Sequence, residues 1–545
     1  MGATLATARG TDPAQVNEMR YAIQAIANKK PHWVFFLALS AFYLSFTPGT
    51  IKGMGYNLEN LIAADQITTN LVNLILRQPL VPVSWPRHGL LELFFEFPFV
   101  FPSRLLFGGS IDWIGRVTAI QPILFTSLSC VVTFLWIQRL TKNLAWSYFL
   151  SATAGVATML WPYTYIGLET TQSFFVILSA YMALAAEKRD SLPRLLIFGL
   201  ACATAISVKL NGIFLAPAIL YLIYCYFVRE TRPAAGALRR ELPGAALVIA
   251  LVVVVYTVNR HYSSKYFGPD SGASSGYFFR LLADSPGRMA LYFLSYFSSI
   301  NKSLFLYAPI TALGLFALPR VFRIHPRLAI FAVLTLAGVA GGFSLTYMWA
   351  EETWGPRYLH EAILPLTLCL AAAKTGLGLQ WRREIPLLAA AVLGIVISFL
   401  GSFFYYGNLH IAATGASQNT LESLQFDPRL NHIEFNARLL KLWATERLGG
   451  TNEPEYWPTP YNWWFLKPPD APPEKTVDLR EHASPLPLIA KGWENSFSIT
   501  LNQYRALRLT LLGSLSLSLA LLGRLALLLT RNSRTPEKAS APVSG

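Results

Sequence analysis

Residues Pro386–Tyr405 read PLLAAAVLGIVISFLGSFFY, twenty positions without a charge. At about 1.5 Å per residue, a helix of that length covers about 30 Å, the thickness of a bilayer's hydrocarbon core. Basic residues stand just before it (Lys374, Arg382, Arg383), and a polar, aromatic stretch follows. The same unit recurs along the chain. Apolar runs extend from about His32 to Pro48, Val117 to Ile137, Trp146 to Trp161, Thr170 to Ala186, Arg194 to Val208, Gly212 to Val228 and Pro243 to Val258. Others cover about Leu304 to Leu318, Leu328 to Trp349, Tyr358 to Ala373 and Leu507 to Leu529. The reading is an all-α polytopic membrane protein with about 12 transmembrane helices.

Composition agrees. Of 545 residues, 53% are hydrophobic and 14% charged, with mean hydropathy +0.40. A soluble protein carries about a quarter charged residues. The net charge of +15 does not read as nucleic-acid binding, because the basic residues fall in short connections between apolar runs, where they set topology. The four cysteines lie singly inside apolar runs and read as small buried hydrophobes.

Placing the N-terminal tail in the cytoplasm gives one consistent topology. Arg139/Lys142, Lys188/Arg189/Arg194, Arg229/Arg232/Arg239/Arg240, Arg320/Arg323/Arg327, Lys374/Arg382/Arg383 and Arg531/Arg534/Lys538 then all lie inside. The opposite connections hold most of the acids. Both termini are expected in the cytoplasm of a bacterial inner (plasma) membrane protein, with the first helix retained as an anchor. Expected regions are a cytoplasmic tail over 1–31, a transmembrane domain over 32–406 with a first outer loop at about 49–112, an outer loop or small domain over 407–503, a last span over 504–530 and a disordered cytoplasmic tail over 531–545. The outer segment from 407 includes EPEYWPTPYNWWFLKPPDAPPEK, too aromatic to be disordered throughout.

Polar residues gather at the outer ends of the spans. In the first outer loop, apolar spacing over Leu58 to Leu76 predicts an amphipathic interfacial helix. A second stretch, VPVSWPRHGLLELFFEFPFVFPSRLLFG, puts Glu92 and Glu96 on one helix face. The cations are Arg87 and His88 in WPRHG, Lys209 in SVKLNG, Lys302 in SINKSLFLYAPI and Arg357 in WGPRYLHEAILPL. A single cation of this kind reads as interfacial snorkelling. Several on one side suggest an anion site, and a lipid phosphate or pyrophosphate is the obvious anion.

SINKSLFLYAPI, WGPRYLHEAILPL, LETTQSFFVILSAYMAL and SVKLNGIFLAPAILYLIY resemble segments of bacterial GT-C glycosyltransferases, the class that includes protein O-mannosyltransferases and the lipid A aminoarabinose transferase. The resemblance extends from about His32 to Tyr405. It implies a GT-C-like bundle that takes a sugar from a polyprenyl-phosphate donor on the outer leaflet and transfers it with inversion to a glycolipid, polysaccharide or protein. It implies a general base in the first outer loop and cations on the leaving phosphate. Lys302 and Arg357 match the phosphate positions, with Lys209, Arg87 and His88 as partners. Many relatives carry an acidic pair shortly after the first helix, and this chain does not. Glu59 and Asp65 are the first candidates for the base, with Glu92 and Glu96 behind them. Each also reads as an ordinary solvated interfacial carboxylate. No DxD occurs in the first outer loop, so neither a metal nor another cofactor is expected. The alternatives are a polysaccharide polymerase or ligase, a lipid-linked substrate transporter or flippase, and a non-catalytic assembly subunit.

Overall fold

The computed structural model describes residues 30–46, 57–86, 90–107, 111–186, 191–228, 235–267, 285–345, 354–377, 379, 381–404, 409, 426–448 and 501–532. Among them every regular element is helical. In chain order the helices of eight or more residues are α1 (Pro31–Ser45), α2 (Asn57–Leu76), α3 (Leu91–Phe107), α4 (Ile111–Thr118), α5 (Ile120–Thr141), α6 (Leu144–Val156), α7 (Gly167–Ala180), α8 (Leu192–Ser207), α9 (Ala216–Phe227), α10 (Ala235–Phe267), α11 (Pro286–Ser298), α12 (Pro309–Ile324), α13 (Pro326–Ser344), α14 (Ile363–Ala373), α15 (Ile385–Phe403), α16 (His432–Leu448) and α17 (Leu501–Asn532). Each apolar run read from the sequence overlaps one of them, though the bounds differ: α6 stops at Val156, short of Trp161, and α12 starts at Pro309, after Leu304. Among the described residues, five stretches are long and apolar enough to cross a membrane: Ile120–Thr141, Gly167–Ala185, Leu242–His261, Pro326–Ser344 and Arg382–Phe403.

The distribution of apolar surface makes the case for lipid. The Leu242–His261 stretch has mean hydropathy 2.2, yet only 11% of it is buried against the protein. Water would not tolerate that face; hydrocarbon would. Helix starts follow ordinary chemistry. Proline occupies the first turns of α1, α8, α12, α13 and α15, where its missing N–H costs nothing. Asn143 caps α6 by accepting from the Ala145 and Trp146 amides at 2.8 and 3.2 Å. Inside the helices, Thr126, Thr133, Thr335 and Thr367 return their hydroxyls to the carbonyl four residues back, which keeps these polar groups bonded away from water. At Gly314 in α12 a methyl group would come within 2.3 Å of the Leu366 carbonyl in α14. Only glycine permits that helix approach.

Connections read from the sequence as lying on one side touch one another. Arg139 bonds the Ala185 carbonyl, Trp146 Nε1 donates to the Leu377 carbonyl at 2.9 Å, and Lys374 pairs with Glu384 at 2.7 Å. All of these belong to connections read as cytoplasmic. Segments read as outer also pack together. The α2–α4 unit packs through Leu61, Ala63, Ala64, Leu93, Val100, Ile114 and Ala119. The C-terminal turn of α2 leaves Leu74, Ile75 and Leu76 exposed, which fits a helix lying in the membrane interface. An apolar groove of about 360 Å³ runs between α1, α5 and α17, lined by Leu37, Leu44, Ile123, Leu124, Leu517 and Leu521 among others.

Candidate active site

Glu169 lies in the first turn of α7, where the helix dipole favours a carboxylate. Its Oε1 accepts from Lys209 Nζ at 2.7 Å and stands 3.4 Å from Arg357 Nε. The three side chains are 1%, 10% and 7% exposed, so these charges are removed from water and depend on one another. Lys209 is delivered by an extended residue between α8 and the 3-10 turn Leu210–Leu215. Arg357 opens the turn Arg357–Ala362, just after Gly355 at φ +63°, where a Cβ would strike the Tyr307 ring at 2.6 Å. The Tyr358 ring faces both cations, 5.8 Å from Lys209 Nζ and 4.9 Å from Arg357 Cζ. It is stacked at 3.9 Å on Phe343 of α13.

Beside this group sits a second set of acids. Glu92 Oε1 accepts from Gln121 Nε2 at 2.9 Å and from Thr171 Oγ1 at 3.4 Å. Its Oε2 and both oxygens of Glu96 are buried without a hydrogen-bond partner. Burial pushes the Glu92 carboxyl up to about 7, opposed by the Gln121 and Thr171 hydrogen bonds. Burial, and then the charge of Glu92, raises Glu96 well above the usual carboxylate range. Room for Glu92 comes from Gly167, where a methyl group would lie 2.0 Å from Oε1. One turn beyond Glu169 on α7, Ser173 Oγ and His360 Nδ1 are 2.6 Å apart. His360 Nε2 and Glu361 Oε1 are buried without a partner. Asn259 of α10 ties the set together, accepting from the Leu90 amide and donating to the Ser207 carbonyl, each at 2.7 Å.

The sequence candidates separate. Lys209 and Arg357, 148 positions apart in the chain, meet at one carboxylate oxygen. Lys302 is fully buried, and its amide donates to Ser299 Oγ at 3.1 Å. Asp65 is paired with Arg104 at 3.1 Å across α2 and α3, a link between the two helices. The backbone of Glu59 belongs to α2, but its side chain lies outside the described residues, as do Arg87 and His88. Glu92 and Glu96 are not solvated interfacial carboxylates: each is 1% exposed. α3 packs that face against α5 and α7 rather than turning it to water. Glu169, Gln121, His360 and Glu361 were not among the sequence candidates. An acid within the apolar run LETTQSFFVIL was the available signal for Glu169, since ionisable groups at such depth are costly. Among the described residues no group of three or more His, Cys, Asp or Glu is placed to hold a metal ion.

No protein-family model matches the chain, and no curated protein matches it either. Among solved structures, it is similar to ArnT from Cupriavidus metallidurans bound to undecaprenyl phosphate, with 15% identity, TM-score 0.41, and coverage of 78% of this chain and 71% of that one. It is also similar to the archaeal oligosaccharyltransferase AglB from Archaeoglobus fulgidus in complex with an inhibitory peptide and a dolichol-phosphate, with 11% identity, TM-score 0.41 and coverage of 72% of this chain. The chain spans 58% of the length of that archaeal enzyme.

Proposed function

We propose that this chain is a membrane glycosyltransferase of the GT-C kind, which takes a sugar from a polyprenyl-phosphate donor and transfers it with inversion to an extracytoplasmic acceptor. The observation that carries the reading is the meeting of Lys209 and Arg357 at Glu169 Oε1, at 2.7 and 3.4 Å. Two buried cations drawn from separate connections, in the layer read as the outer membrane face, suit a lipid phosphate.

In this reaction the acceptor oxygen forms a bond to the anomeric carbon as the bond from that carbon to the phosphate oxygen breaks. The bonding pair leaves with the phosphate, and Lys209 and Arg357 stabilise the charge that develops there. The acceptor proton passes to the general base. Glu92 takes that role ahead of Glu59 and Asp65, because one of its oxygens is held by Gln121 and Thr171 while the other has no partner. A carboxyl that titrates near neutrality is well matched to a base at physiological pH. The outer segment over 407–503 is assigned to acceptor choice. Its Trp463 and Trp464 lie outside the described residues.

The buried carboxyl oxygens without a hydrogen-bond partner, Glu92 Oε2, both of Glu96 and Glu361 Oε1, favour one second reading, a proton-coupled carrier of a lipid-linked substrate. Purified protein in nanodiscs, given radiolabelled polyprenyl-phosphate sugars and a panel of acceptors, separates the two. Transfer by wild type, with a folded but inactive Glu92→Gln variant, supports the enzyme. Lipid-phosphate binding with no transfer across the panel favours the carrier.

A further inference from the structure

Glu169 is the carboxylate that touches the cations, and nothing in the transfer chemistry requires it there. A phosphate site gains affinity from positive charge, yet this one is built around an acid that cancels half of it. Glu169 Oε1 takes the position that a phosphate oxygen would take between Lys209 and Arg357, and its Oε2 has no hydrogen-bond partner. The cations therefore hold the carboxylate, not a wider hydrogen-bond network. Glu92 and Glu361 also lie within range of the Lys209 charge, and they add acid, not base, to the surroundings.

The reaction changes the charge that this site must hold. A sugar-loaded polyprenyl phosphate is a phosphodiester with one negative charge. When its anomeric C–O bond breaks, the electron pair stays on the phosphate, which leaves as a monoester. A monoester with a second pKa near 6 carries about −1.5 to −2 at neutral pH. A site of two bare cations would bind the product more tightly than the donor and would release it slowly. Lys209, Arg357 and ionised Glu169 together carry one net positive charge, which matches the donor and not the product.

We infer that Glu169 is a specificity-determining residue that limits the cation site to one net positive charge, so that it accepts monoanionic lipid phosphodiesters and disfavours dianionic lipid monophosphates and pyrophosphates. The inference rests on the glycosyltransferase reading and names the donor class for it: a lipid monophosphate-linked sugar, not a pyrophosphate-linked glycan.

Binding tests this without turnover. The probes are undecaprenyl methyl phosphate, undecaprenyl phosphate, undecaprenyl pyrophosphate and undecaprenol, titrated against the full chain in nanodiscs at mildly alkaline pH. For wild type, affinity does not rise along the series from diester to monoester to pyrophosphate. For Glu169→Gln it does, with the dianionic lipids gaining at least about tenfold, since a unit charge a few ångströms away has at least that effect at an effective dielectric near 20. Undecaprenol binding is unchanged, and Glu169→Asp keeps the wild-type order. A folded Glu169→Gln that binds the dianions no better than wild type overturns the inference, as does a wild-type affinity that climbs with lipid charge. The wild-type series decides the matter alone if Glu169→Gln fails to fold. If wild type binds none of the phosphate lipids, the glycosyltransferase reading falls and takes the inference with it.

Discussion

Replacing Lys209 with Met tests whether the buried charge group is one unit. The methionine keeps the bulk of the side chain and removes the ammonium that lies 2.7 Å from Glu169. Breaking one partner out of a buried ion pair costs about 3–5 kcal/mol, because the other charge is left in low dielectric. Here Arg357 remains 3.4 Å from the same oxygen, so the loss belongs at the lower end, about 3 kcal/mol. Removing both charges, in Lys209→Met with Glu169→Gln, leaves no carboxylate beside the lost ammonium but takes from Arg357 its contact with Glu169, so the double variant stays below wild type while losing less than the two single variants add up to. The coupling between the two substitutions is then in the range of about 0.5–3 kcal/mol. The protein carries a convenient reporter. All four cysteines, Cys130, Cys202, Cys225 and Cys369, are buried, so a thiol-reactive fluorophore labels the chain only as it unfolds. Melting curves in detergent or nanodiscs should show Lys209→Met several degrees below wild type and the double variant losing less than Lys209→Met and Glu169→Gln add up to. A single variant within about 0.5 kcal/mol of wild type, the range of a surface substitution, refutes the buried ion pair. A double variant whose loss equals the sum of the Lys209→Met and Glu169→Gln losses refutes the coupling.

Three further outcomes follow from the same contacts. Glu92 acts as a base only when ionised, and its carboxyl titrates at about 7, so transfer by wild type falls as the pH is lowered through neutrality; a rate flat across that range removes Glu92 from the role. Gly167→Ala drives a methyl group to 2.0 Å from Glu92 Oε1, which should cost about 1–3 kcal/mol as overpacking and lower transfer through displacement of that carboxylate, seen in parallel melts and radiolabel assays. Asp65→Asn weakens a pair whose members are 28% and 15% exposed on the side chain, so stability should change by about 1 kcal/mol or less, and transfer by this variant should persist; an inactive but folded protein would return Asp65 to the catalytic role.

The helices were legible because a bilayer imposes length and polarity on each one separately. Pro386–Tyr405 can be read without knowledge of any other residue, and α15 spans Ile385–Phe403. The helix read over Leu58 to Leu76 was legible for the same local reason, and α2 spans Asn57–Leu76. Local patterning could not say what covers a polar face. The four-residue spacing of Glu92 and Glu96 places them on one side of a helix, but the same spacing serves a solvated stripe and a buried one. Only the packing of α3 against α5 and α7 decides between them.

The active-site candidates divide along that line. Lys209 and Arg357 could be selected one at a time, as cations stranded among apolar residues. Their partnership could not, because it passes through Glu169, 40 residues from one and 188 from the other. Proximity to the first span favoured Glu59 and Asp65, yet distance along the chain has no bearing on which carboxylate faces the cations. In a membrane bundle the discriminating quantity is the cost of ionisation at depth. Asp65 meets that cost with Arg104 at the edge of the fold. Glu169 meets it with Lys209 and Arg357 in the interior. Glu92 meets it only in part, through Gln121 and Thr171, with one oxygen unpartnered. A carboxylate whose charge is only partly compensated is the one able to take up a proton, and that is the physical ground for placing Glu92, and not its better-paired neighbours, at the point of chemistry.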